Sequence, residues 1–344
     1  MTSSTSPAAP AAAPRTPEPG ATPRRSRDAL LARAERYALL LLTVAIAVFF
    51  SVYPASRESF ATMANVQVTL GTQTAVALLA LAAVFPLVAG NIDFSVGATA
   101  ASSMVLAAGL MSREGLPLAP TVVVCVLFGG LVGLANGVAV TRFRMNPFVT
   151  TLGVATLLGG VIQWYTGGQA IFGGISTSLT RFGALTLAGL PQVTFVVAAL
   201  ALVSWYVLTQ TAYGRFLYAV GSNERSARLV GIAVGRNVLL SFVIAGLLAG
   251  VAGVLQLSRT GSATADSGTS LLFPALAAVF LGATAVRPGF FNVAGAMIGV
   301  LFVSVSVSGL TLSGASAWVS PVFNGVALLV AVGLSSYLGR RVTA

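Results

Sequence analysis

The sequence contains no histidine. That removes imidazole from any metal site, proton relay or general-base role. It contains no lysine either, so all 19 basic residues are arginine. A Walker-A loop needs a lysine to reach the nucleotide phosphates, so this chain is not the ATPase of a pump. The single cysteine, Cys125, lies inside an apolar run, forms no internal disulfide and reads as a small packing residue. Acids number only 8. With so few, an acid–base set for a membrane enzyme is hard to assemble, and neither enzymatic activity nor a cofactor is expected.

What remains is largely apolar. Of 344 residues, 56% are hydrophobic and 8% charged, with a mean hydropathy of +0.91. Soluble domains carry roughly a quarter charged residues, so most of this surface must sit in lipid. Backbone in lipid has to satisfy its own hydrogen bonds, which leaves helices or a closed barrel. The apolar runs are continuous and do not alternate with period two, so the expected fold class is all-α and polytopic, with about ten transmembrane helices.

Residues 1–36 are rich in Ala, Pro, Ser, Thr and Arg and have almost no large apolar side chains. They read as a disordered tail ending in an arginine cluster, a signal anchor in preference to a cleaved leader. The spans then read Tyr37–Tyr53, Val66–Ala89, a third run ending at Met111, Pro120–Val140, Phe148–Trp164, Pro191–Leu208, Val238–Leu257, Leu271–Val286, Phe291–Leu310 and Trp318–Leu338. The membrane domain covers 37–338, includes a polar segment at 211–236, and is followed by a short tail at 339–344. Ten spans put both termini on one side. On that side fall Arg15, Arg24, Arg25, Arg27, Arg33, Arg36, Arg142, Arg144, Arg215, Arg225, Arg228, Arg236, Arg287, Arg340 and Arg341; opposite lie only Arg57, Arg113, Arg181 and Arg259. The positive-inside rule makes both termini cytoplasmic. The net charge of +11 is therefore a topology signal, and nucleic acid is not an expected partner.

Glycine is abundant, with 37 residues, and ordered. Gly129, Gly133 and Gly137 repeat every four residues, as do Gly246 and Gly250, and Gly295 and Gly299. Small residues at this spacing make a flat face on which helices pack closely, and internal packing is favoured here over a sliding surface.

Three polar stretches interrupt the apolar runs. The longest, Thr211–Ile232, holds Arg215, Glu224, Arg225 and Arg228, with Arg236 just beyond. It is too short to bury a core and must meet something else. Its Thr211, Gly214, Arg215, Ala219, Gly221, Asn223, Ala227, Arg228, Gly231 and Ile232 match the pattern T-x-x-G-R-x-x-x-A-x-G-x-N-x-x-A-A-R-x-x-G-I, with Ser226 for the first paired alanine. The second, Gly90-Asn91-Ile92-Asp93-Phe94-Ser95-Val96-Gly97, is close to G-G-I-D-L-S-V-G, with Asn91 and Phe94 as replacements. The third, Asn146–Gly153, is close to N-P-F-I-x-T-L-G. These patterns resemble the ribose-type permease subunits of bacterial ABC importers for monosaccharides, and the resemblance runs from about Phe60 to Val332. One stretch departs from it: Leu272–Ala283 lacks both acids of the family's E-L-D-A-I-A-A-V-V-L-G-G, with Pro274 at the Asp position. A divergent branch follows, to which ribose specificity does not transfer directly.

The resemblance implies a multi-pass protein of the bacterial inner membrane, and a second permease copy completing the pore. It further implies ABC ATP-binding subunits docked on a short cytoplasmic helix, and an extracytoplasmic solute-binding protein delivering the sugar. The docking residues would be Gly221, Asn223, Glu224, Arg225, Arg228 and Gly231, with Ala227, Leu229 and Val230 filling a groove; a solvated loop that only fixes topology is the alternative. Candidates for the translocation path or gate are Asn91, Asp93, Ser95, Gln73, Asn136, Thr156, Gln163, Gln256 and Trp164. Neutral amides suit a neutral polyol, although such groups also simply tie helices together. Asp93 either caps the third span or acts as a charge in a gate. A nucleoside, an autoinducer or a branched-chain amino acid is the alternative cargo. A stand-alone secondary transporter, which wants an ionisable group at mid-membrane, is the rival of another class.

Overall fold

The computed structural model describes the backbone of residues 24–264 and 267–343, and side chains from Arg36 to Gly333 except 265–267 and 269. Among the described residues fifteen helices follow one another: α1 (Arg24–Val52), α2 (Arg57–Phe60), α3 (Met63–Thr72), α4 (Thr74–Val88), α5 (Ser95–Ser112), α6 (Leu118–Thr141), α7 (Pro147–Thr166), α8 (Thr177–Ala184), α9 (Gln192–Gln210), α10 (Ala212–Ser222), α11 (Glu224–Leu229), α12 (Val234–Thr260), α13 (Ser267–Gly282), α14 (Val293–Leu312) and α15 (Val319–Thr343). Strand among the described residues is confined to two-residue pairings, such as Ile171 with Ala263. Residues from Glu35 onward pack as one unit.

Every expected apolar run falls on a helix. Among the described residues α5, α6, α7, α9, α12 and α14 are each long and apolar enough to cross a membrane, and α3 with α4 makes a seventh if the pair is one span. The remaining apolar stretches, Arg36–Val52, Ser270–Gly282 and Val319–Gly333, are shorter. Helix α1 already starts at Arg24, inside the segment expected to be unstructured, and α15 runs through most of the expected C-terminal tail. Residues 1–23 and 344 lie outside the described residues.

The centre is α4, buried over its whole length from Thr74 to Val88. It is apolar all round, as a helix with no solvent or lipid face must be, and it packs against α5, α9, α12, α13 and α14. Around it the glycines close the helix pairs. A Cβ at Gly133 would stand 2.2 Å from the Phe242 carbonyl oxygen, and one at Gly246 2.1 Å from that of Gly129, so α6 and α12 touch backbone to backbone. Gly299 of α14 meets the Ala278 carbonyl of α13 in the same way. Buried Cys125 lies along the α6–α12 seam, where its carbonyl faces Gly250. The packing role expected of both features is what the structure shows.

The second span differs from its expected form. The expectation is one run from Val66 to Ala89; Pro86, near its end, sits inside continuous α4. The helix breaks at Gln73, where α3 and α4 meet at a 44° bend. The cause is local. The Thr74 hydroxyl donates to the Leu70 carbonyl at 3.1 Å and that of Thr72 to Val68 at 2.9 Å, back-bonds that loosen the backbone ladder and bend helices.

The turns gather at two ends. At one end the 88–94 turn, the 141–147 turn, α10–α11 and the 283–292 turn meet: Gly221 packs on the Val88 carbonyl and the Tyr218 hydroxyl donates to the Phe291 carbonyl at 2.8 Å. At the other, Arg259 donates to the Gly183 carbonyl at 2.8 Å, Gln67 to that of Gly189 at 3.0 Å, and the Arg113 guanidinium lies 4.5 Å from the Tyr165 ring centre.

Candidate functional site

The Thr211–Arg236 segment forms a ledge of two short helices at the first end. Thr211 caps α10, its hydroxyl accepting from the Gly214 N–H at 3.3 Å. Gly214 lies so close to α9 that a Cβ there would stand 2.1 Å from the Leu208 carbonyl oxygen. Leu217 and Val220 turn inward and are buried. The Tyr213 hydroxyl donates to the Asn237 carbonyl at 3.4 Å, and that of Tyr218 to Phe291. Burial holds both phenols above the ordinary tyrosine range, although Arg287 pulls Tyr218 back somewhat, and they act as neutral donors. At Gly221 a Cβ would meet the Val88 carbonyl oxygen at 1.9 Å, so the ledge rests directly on the end of the central helix.

Helix α11 is closed at both ends by motif residues. Asn223 Oδ1 accepts from the Ser226 N–H at 2.9 Å, the usual N-cap bond. At the other end the Ile232 N–H reaches the Ala227 carbonyl at 3.0 Å and the Gly231 N–H reaches that of Arg228 at 3.1 Å. This pair of bonds is a Schellman motif, and it puts Gly231 in the left-handed region at φ 81°. Glu224 and Arg228 form an ion pair one helical turn apart. They therefore engage each other first, and Arg225 is the α11 charge free of an ion pair among the described residues. Ala227 is buried within the chain and fills no partner's groove, whereas Leu229 is 84% exposed and Val230 75% exposed.

Beneath the ledge lies a buried polar network. Asp93 Oδ1 accepts from the Ser95 N–H at 2.8 Å and from the Ser95 hydroxyl at 2.6 Å. Asn136 of α6 donates to that hydroxyl at 2.7 Å. Thr151 of α7 accepts from the Phe94 N–H at 3.1 Å, and the rings of Phe94 and Phe148 meet edge to face at 5.2 Å. Helices α6 and α7 are thus tied to the start of α5, and Asp93, just before that start, accepts from the Ser95 N–H as a cap does. Asn91 stands just outside, on the wall of a cavity of about 720 Å³ shared with Arg144, Glu224 and Arg228.

The remaining path candidates lie elsewhere. Gln73 is at the α3–α4 break, its Oε1 buried without a partner among the described residues. Gln163, Thr156 and Trp164 are on the outward surface of α7, with Trp164 82% exposed. Among the described residues these groups lie apart from one another, and buried α4 fills the centre of the bundle.

Residues 65–332 match the family described as branched-chain amino acid transport system / permease component. The chain belongs to that permease family. Among its relatives, the ribose import permease protein RbsC of Haemophilus influenzae is 31% identical over 310 residues, covering 89% of this chain and 94% of that protein. RbsC of Bacillus subtilis is 34% identical over 256 residues, 74% of this chain and 79% of its own. The autoinducer 2 import system permease protein LsrD of Yersinia enterocolitica is 33% identical over 273 residues, 77% of this chain and 82% of its own. No solved structure matches the chain. Within the family match, sequence reasoning passed over Thr151 and Phe94 as positioning residues; only their place in two motifs that turn out to touch marks them.

Proposed function

We propose that the chain is the membrane permease subunit of a bacterial ABC importer that moves a monosaccharide or a related small polar solute inward. The α10–α11 ledge carries this reading, supported by family membership. Its motif residues spend themselves on caps, close packing and a Schellman turn. What they hold out is a firm platform bearing Arg225, Leu229 and Val230, as docking an ATP-binding subunit requires. Hydrolysis belongs to that separate subunit, and an extracytoplasmic solute-binding protein delivers the cargo.

In this reading the apolar helices make ten passes of the inner membrane, with the ledge and both termini cytoplasmic, in keeping with the arginine bias. The path lies between two copies of the permease. The filled core around α4 and the outward placement of Thr156 and Gln163 on α7 support this arrangement. The RbsC relatives favour a pentose-sized sugar. The LsrD relatives favour autoinducer 2 as the second candidate cargo. The test is reconstitution with the ATP-binding and solute-binding subunits in proteoliposomes. Uptake and ATP hydrolysis should both require solute and binding protein; uptake by the permease alone, driven by a proton or sodium gradient, would refute the reading.

A further inference from the structure

The α6–α7 turn at the ledge end is built unlike an idle loop. Arg142, Phe143, Arg144 and Met145 are all exposed, with Phe143 at 71% and Met145 at 47%. Arg144 has φ 54°, a left-handed conformation that non-glycine residues rarely take. The turn is nevertheless fixed: Met145 N–H donates to the Ala139 carbonyl at 3.2 Å, and Asn146 caps α7 through the Phe148 N–H at 2.9 Å. So held, Arg144 lines one wall of the 720 Å³ cavity, while Asn223, Glu224 and Arg228 line the facing wall and Asn91 lies between. Glu224 is already paired with Arg228. On the lining this leaves Arg144 without an ion-pair partner among the described residues and no unpaired acid; Arg142 and Arg225, each next in sequence to a lining residue, are likewise without an ion pair among the described residues. Met145 also lines the cavity, and Phe143, next to Arg144 in sequence, and Leu229, next to Arg228, are exposed.

We infer that this turn and cavity are a second docking surface for the ATP-binding subunit, and that the cavity receives an acidic segment of that subunit. The inference rests on the importer reading above. Three observations select this occupant. The cavity shares a wall with the docking ledge, so a partner seated on α11 covers it. Its charge is unbalanced toward arginine, and a carboxylate-bearing segment complements it. Its lining is more polar than apolar, with exposed Phe143 and Leu229 next in sequence to lining residues, which suits a protein segment better than an acyl chain. A partner bound at two points 141–147 and 221–231 would move the α6–α7 corner and the ledge together, and both bear on the Asp93 network.

The test uses the full chain in its complex with the ATP-binding subunit. A photo-crosslinking benzoylphenylalanine is placed at Met145 in one variant and at Arg225 in another. Both are expected to capture the ATP-binding subunit. Capture from Arg225 but only lipid or a second permease copy from Met145 overturns the second surface and leaves the ledge standing; capture from neither overturns the importer reading as well. In parallel, Arg144→Gly removes the charge and suits the left-handed turn, while Arg144→Lys retains the charge. Arg144→Gly should weaken association with the ATP-binding subunit by about tenfold at low salt and flatten its salt dependence, with Arg144→Lys close to the parent. Unchanged affinity and salt dependence in Arg144→Gly would overturn the inference.

Discussion

The α6–α12 seam and the α10–α11 ledge use the same device to opposite ends. In both, glycine lets a helix approach a neighbouring carbonyl closer than any side chain would permit: Gly133 on Phe242 and Gly246 on Gly129 in the seam, Gly214 on Leu208 and Gly221 on Val88 in the ledge. In the seam both partners are buried and the contact is complete. In the ledge only one face is seated, and Arg225, Leu229 and Val230 are held out. Close packing therefore has two uses here. It closes the bundle, and it makes a stiff mount for side chains that form no ion pair among the described residues.

The comparison predicts effects of different size and kind. The largest is in the seam. Gly246→Leu forces a branched side chain into the Gly129 backbone. The cost should exceed the ~1–3 kcal/mol of ordinary overpacking, because backbone cannot step aside as a side chain can. Monodisperse, folded protein in detergent should be lost; a normal yield with an unchanged melting temperature would show that the seam is looser than described.

Gly221→Val breaks the mount instead. Its Cβ would overlap the Val88 carbonyl, so the ledge must lift, yet α4, α6 and α12 keep their contacts. Insertion and solubility should persist while retention of the ATP-binding subunit on a permease affinity column falls. Loss of both together would make the ledge part of the bundle's core and remove the distinction drawn here. Smaller still is Gly231→Ala. A Cβ meets no neighbour there, but φ 81° disfavours it, at roughly 1 kcal/mol. Hydrogen exchange of the α11 amides should speed up by about fivefold, the factor that such a free energy carries, with the rest of the protein unchanged.

Much of this was legible in the sequence, and the gaps have physical causes. The apolar runs marked the helices, because burial in lipid leaves hydropathy as the dominant signal. Glycines four apart marked the seams. The three motifs marked the ledge end, and the structure brings them together at the cavity and the Asp93 network. The local roles within the motif were not legible: Asn223 and Gly231, expected as docking residues, also close α11, and Glu224 pairs with Arg228 along the helix. Reversing Glu224 and Arg228 together would keep an intrahelical pair, so Arg225 is the better residue to change. The break at Gln73 was invisible because two threonine back-bonds bend a helix without lowering its average hydropathy. Nor could the outward turn of Gln163 be read, since α7 is apolar on every side and its periodicity points nowhere.

The smallest expected effect is the most discriminating, and it concerns the joint on which ledge and bundle both rest. Asp93 lies at the start of α5, buried, accepting two bonds from Ser95, and it forms no ion pair among the described residues. An N-cap of this kind contributes about 0.5–2 kcal/mol, and asparagine serves as well as aspartate because its side-chain oxygen accepts the same N–H. Asp93→Asn should therefore express, insert and transport like the parent. Asp93→Ala loses the acceptor, leaves the Ser95 N–H and hydroxyl without it, and should lower the yield of folded protein. Ser95 also takes the bond from Asn136, so the loss extends to α6. A gate that works through charge reverses the order: Asp93→Asn would insert normally and lose uptake. Measuring yield and uptake for both variants in the same membranes separates the two, since a cap depends on the oxygen and a gate on the charge.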